Sequence, residues 1–158
     1  MNAGKEGLKI PKRLKEVAVW VHPEGRVIGH LFVRVNGQGA SDEEQPLEVL
    51  NDERPFLVMQ REDPSELRFY NRASIVRVEY QPEAVEELED ATPLHCRLQM
   101  MDGSILEGTV MKSLPPDHAR LFDFLNRPHE RFVKLYLEDG RVSLVNKSYI
   151  LFVTTLEE

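Results

Sequence analysis

At 158 residues, the chain fits one ordinary domain or two small modules of about 65 residues each. With 41% hydrophobic and 30% charged side chains the chain reads as a soluble globular protein, and no run approaches the roughly 20 apolar residues of a membrane helix. The net charge of −7 is uneven: residues 1–80 carry 12 basic and 13 acidic side chains and residues 81–158 carry 8 and 14, so the second half would repel a phosphate backbone unless its cations gathered on one face.

Residues 1–7 lack the apolar core of a signal peptide. A single cysteine, Cys96, allows no intrachain disulfide, and the expectation is a cytoplasmic protein. Residues 1–16 read as a basic tail, with Lys5, Lys9, Lys12, Arg13 and Lys15 against Glu6 and Glu16. A solvated leader is its plainest reading, and contact with an acidic partner is the other. In residues 17–21, Val17, Val19 and Val21 share one face of a strand and Trp20 lies on the other. Pro23-Glu24-Gly25 predicts a hairpin turn, because glycine takes positive φ at low cost. Residues 26–35 return as strand two, and Gly29 within it predicts a bulge or sharp bend. A polar loop over 36–46 follows, then one or two helical turns from Pro46. Strand three spans 56–60, Asp63-Pro64 marks a turn, and strands four and five span 66–71 and 74–80. Residues 82–93 read as a linker with five acids between Pro82 and Asp90, forming a short helix that touches a neighbour through Val85 and Leu88.

The same plan then runs again. Leu94, Cys96 and Leu98 alternate, Asp102-Gly103 takes the place of Glu24-Gly25, and Gly108 falls near the place of Gly29. Residues 117–126 predict a helix capped by Asp117 and apolar through Leu121, Phe122, Phe124 and Leu125. Strands follow over 131–137, 141–146 and 149–155, with a turn at Glu138-Asp139-Gly140. At an offset of 75, Phe69/Leu144, Tyr70/Val145, Asn71/Asn146, Arg72/Lys147, Ile75/Ile150 and Val78/Val153 fall in step. The organisation read from this is a tail (1–16), a first repeat (17–81), an acidic linker (82–93) and a second repeat (94–158). Ile75, Val78, Ile150 and Val153 read as core, and Asn71 and Asn146 as turn residues that tolerate a left-handed backbone.

Five short antiparallel strands with one excursion after strand two form a mainly β layout that resembles the SH3-like small barrels, and the Sm-like group most closely. The residues that carry the likeness are Asp102-Gly103 with Gly108 five residues on, Asp123-x-x-Asn126, and Asn146-Lys147-Ser148 ahead of Ile150 and Val153. The resemblance implies two tandem five-stranded barrels with short helices in the excursions. It also implies binding of RNA or another single-stranded nucleic acid. The chain departs from that pattern: the Arg-Gly turn framing the nucleotide pocket is absent from both repeats, and Gly25 and Gly29 are four apart.

Chemistry is sparse. His22, His30, His95, His118 and His129 have no metal-ligand spacing, and no phosphate loop or nucleophile elbow occurs, so no catalytic, metal or cofactor site is expected. Cys96 reads as a small buried hydrophobe. Three surfaces remain as candidates. Arg68, Arg72 and Arg77 with Tyr70 should project from the outer face of strands four and five, and could stack on and pair with a nucleic acid or simply pair with Glu66 and Glu79. Phe122 could dock a partner if its helix lies outside the barrel. Barrel strand edges could pair with each other, with a second protomer or with a partner's peptide. Arg72 and Lys147 are the repeat positions left without a structural role, and any binding function implied by the Sm-like resemblance would lie in those two side chains, which makes Lys147 a further candidate for partner contact. The leading expectation is a non-enzymatic protein-binding adaptor or scaffold, in bacterial signalling or cell organisation, that can self-associate. A nucleic-acid binder is the alternative.

Overall fold

An extended segment with one apolar face must bury that face and satisfy its backbone amides on both flanks. The computed structural model describes residues 12–35, 43–83, 92–112 and 118–156, and there one antiparallel sheet of ten strands meets both demands for its eight inner strands. The first half comprises β1 (Lys12–Val21), β2 (Gly25–Arg34), α1 (Pro46–Leu50), β3 (Phe56–Glu62), β4 (Ser65–Asn71) and β5 (Ile75–Tyr80). The second comprises β6 (Thr92–Met100), β7 (Ile105–Lys112), α2 (His118–Leu125), β8 (Phe132–Tyr136), β9 (Val142–Asn146) and β10 (Ile150–Thr155). A 3-10 turn precedes the last strand of each half, over Arg72–Ser74 and Lys147–Tyr149.

The sheet order is β10-β6-β7-β8-β9-β5-β1-β2-β3-β4. Each half thus has the same internal order, and a β5–β9 ladder joins them. The mainly β layout expected from the sequence is present, but the two tandem five-stranded barrels are not seen as separate units. β5 already gives one edge to β1 and gives its other edge to β9, so the sheet runs on from one half to the other and stays open.

The repeat holds in detail. Val19 pairs with Val78 in the first half and Leu98 with Val153 in the second. Phe56 pairs with Asn71, and Phe132 with Asn146. Gly25 and Gly103 both take the positive φ that their hairpin turns require, at 95° and 92°.

Two apolar cores result, and neither belongs to one half alone. The first gathers Val17, Val19, Leu31, Met59, Ile75 and Val78, and takes in Phe132, Val142 and Leu144 from the second half. The second gathers Cys96, Leu98, Met100, Val110, Leu135 and Val145, and takes in Val76 and the flank of Trp20.

Several local expectations change. β1 starts at Lys12, five residues earlier than the alternation at Val17 suggested, because Lys12 to Glu16 continue the ladder against β2. The rest of the tail, the loop over 36–42, the acidic linker helix and the Asp117 cap lie outside the described residues. Asn71 and Asn146 are not left-handed, with φ of −69° and −72°. Each instead caps its 3-10 turn, the side-chain oxygen accepting from the backbone N–H of Ala73 or Ser148. Among the described residues no helix is long and apolar enough to cross a membrane.

Candidate interaction surface

The basic residues expected to face a partner are mostly engaged within the chain. Arg72 is only 2% exposed. Its guanidinium donates to the carbonyls of Val49, Leu50 and Phe56 at 2.8, 3.1 and 2.9 Å, and to that of Arg54. It therefore closes the C-terminal end of α1, where helix carbonyls lack intrahelical partners, and does not project outward. Burial pushes its pKa down. Lys147 does the same work in the second half, donating 3.0 Å bonds to the carbonyl of Leu125, the last residue of α2, and to that of Arg127 beyond it. Both positions thereby gain the structural role they lacked in the sequence.

Arg77 lies 3.9 Å above the Trp20 ring and donates to the buried Glu79 carboxylate at 3.0 Å. Glu79 also accepts from Arg141 at 2.9 Å and lies 3.3 Å from the Ser143 hydroxyl, so this group stitches β5 to β9. Arg68 pairs with Glu66 and with Glu24, and the buried Tyr70 hydroxyl donates to Glu24 at 3.1 Å. Arg61 completes that cluster by donating to Glu24 at 2.5 Å. Phe122, in contrast, is 70% exposed on α2, while Leu121 is buried and Phe124 packs on the second core.

Outside these residues, two free strands dominate the surface. Among the described residues β4 and β10 end the sheet, each with one backbone edge that no described strand pairs. Large apolar side chains crowd both: Phe56, Leu67 and Phe69 on or beside β4, and Leu151 and Phe152 on β10. Phe69, at 69% exposed, is among the least covered of them. Reading the sequence for charge overlooked this set. The signal was present in Leu151-Phe152, where adjacent apolar residues load both faces of a strand that has just one core to face.

Side chains also clasp the internal junction. Asn146 donates to the Ile75 carbonyl at 2.9 Å across β9 and β5. Asn51 accepts from the Phe132 N–H at 2.8 Å and donates to the Phe132 carbonyl at 3.3 Å. The Tyr149 hydroxyl donates to the Ala73 carbonyl at 2.9 Å.

Reactive groups are placed less suggestively. Cys96 is fully buried, and burial pushes its thiol up to about 11. Glu16, His30 and Glu62 bring one ligand atom each within 4.8 Å of one another, and both carboxylates are exposed to solvent. Comparison with protein-family models, curated proteins and solved structures found no match.

Proposed function

We propose that this chain is a non-catalytic scaffold that binds protein through the two free edges of its sheet. The observation that carries this reading is the pairing of unsatisfied strand edges with exposed Phe56, Leu67, Phe69, Leu151 and Phe152. An edge strand offers a row of backbone donors and acceptors, and flanking apolar side chains add the desolvation that makes strand addition stable. In this reading the ten strands are two copies of an SH3-like or Sm-like five-stranded plan, joined edge to edge. The nucleic-acid alternative has less support, since Arg68, Arg72 and Arg77 spend their donors on Glu66, Glu24, Glu79 and backbone carbonyls.

The test is capture from a nuclease-treated extract with wild-type protein and with two edge variants, Phe69→Lys and Leu151→Lys. Loss of captured protein in the edge variants, with retention by a variant far from both edges such as Asp139→Ala in the exposed turn between β8 and β9, supports the reading. Capture that ignores both edges, or salt-sensitive retention of nucleic acid alone, defeats it.

A further inference from the structure

We infer that the partner on both edges is a second copy of this chain, docked head to tail so that β10 of one copy pairs with β4 of the next. This deepens the scaffold reading and rests on it. The chain carries a template of the contact within itself. β5 is the last strand of the first half and β9 the fourth strand of the second, and they pair antiparallel. Their equivalents at the offset of 75 are β10 and β4, the two strands at the ends of the sheet of described residues.

The register transfers directly. Arg77, Val78, Glu79 and Tyr80 face Val145, Leu144, Ser143 and Val142 in the internal ladder. Shifting each strand by 75 places Phe152 opposite Tyr70, Val153 opposite Phe69, Thr154 opposite Arg68 and Thr155 opposite Leu67 of the next copy.

Burial identifies what is missing. The second half gives Phe132, Val142 and Leu144 to the first core, where they are 0 to 1% exposed. Their counterparts in the first half are Phe56, Leu67 and Phe69, which are 53%, 51% and 69% exposed. Conversely Val76, buried in the second core, corresponds to Leu151, which is 59% exposed. Each position is covered where the ladder exists and bare where its equivalent strand has no neighbour among the described residues.

The polar clasps divide the same way. Asn71 caps its turn as Asn146 does, and Asn71 is exposed where Asn146 is buried and bonded to Ile75. Docking would bring Ile150 of a second copy to Asn71, the counterpart of Ile75. Asn126, the counterpart of Asn51, would likewise reach the backbone of Phe56.

Because β4 and β10 are different surfaces, the contact is heterologous, and each copy offers one of each. Such a contact propagates from copy to copy, into a ring if the rotation closes.

The test uses the full chain and two single-edge variants, Phe69→Lys on β4 and Phe152→Lys on β10, with mass read by light scattering and folding by circular dichroism. Both substituted side chains are exposed, so the variants should fold. Wild type is expected to be multimeric. Each variant alone is expected to be monomeric, and the two mixed are expected to form a one-to-one dimer through the edges left intact. A Phe69→Cys, Val153→Cys double variant should link between chains under oxidation. A monomeric wild type at rising concentration, or a single-edge variant that dimerises with itself, overturns the inference. If wild type is monomeric yet still captures another protein in an edge-dependent way, only the identity of the partner falls. If neither occurs, the scaffold reading falls with it.

Discussion

Arg72 and Lys147 occupy the same place 75 residues apart, and each ties the turn before a closing strand to the end of a helix. Arg72 donates to the Leu50 carbonyl and Lys147 to the Leu125 carbonyl, themselves 75 residues apart. The two are not equal. Arg72 bridges four carbonyls and is nearly inaccessible, whereas Lys147 bridges two. Arg72→Met should therefore destabilise by about 3 kcal/mol, since it strands several acceptors in a buried site, and Lys147→Met by about 1 kcal/mol. Chemical denaturation checks both, and an Arg72→Met variant as stable as wild type would refute the anchoring role.

Glu79 is a buried carboxylate held by Arg77, Arg141 and Ser143, with partners from both halves. Removing its charge leaves the Arg77 guanidinium beside a neutral amide in a mostly covered site. Glu79→Gln should cost about 2 kcal/mol, less than a fully enclosed pair because Arg141 is nearly half exposed. A double-mutant cycle with Arg141→Met isolates the part carried across the β5–β9 ladder, and a coupling of zero would show that the pair contributes nothing there.

Gly29 and Gly108 are required by close approach rather than by φ. A Cβ on Gly29 would lie 2.7 Å from the Gln60 carbonyl oxygen, and one on Gly108 would lie 2.5 Å from that of Tyr136. Backbone must then move in β3 or β8, so each Gly→Ala change should destabilise by roughly 2 kcal/mol. Gly103→Ala is the contrasting case, because there the added Cβ meets open space and the strain comes from φ alone. Thermal melts of the three variants would show whether crowding or backbone strain costs more.

Burial works to raise the Glu24 pKa, but hydrogen bonds from Arg61, Arg68 and Tyr70 outweigh it and hold the carboxyl below its ordinary value of 4.5. A carboxyl depressed in the folded state contributes stability that is present above the unfolded pKa and is lost as pH falls through the folded one. The gap in stability between wild type and Glu24→Gln should therefore be widest at neutral pH and should narrow below 4.5. Urea unfolding at neutral pH and at about pH 3 measures it. A gap that stays constant with pH would mean that the Glu24 charge is not what its partners recognise.

Much of this fold is local and was legible in the sequence. Alternation at Val17, Val19 and Val21, glycine at 25 and 103, and the echo of Asn71-Arg72 in Asn146-Lys147 located strands, hairpins and repeat, because each reports on a few neighbouring residues. What those signals could not say is which strand lies beside which. The edge of β5 is the same row of amides whether it closes on its own half or opens onto β9, and nothing in residues 75–80 distinguishes the two. Nor could the sequence separate Arg72, sunk among four carbonyls, from Arg68 at the surface, since both sit beside the same alternating strand. The repeat was determined by composition and spacing alone. The continuous sheet, the shared cores and the two bare edges were decided by long-range pairing, whose free energy comes from surfaces that meet only after the chain has folded.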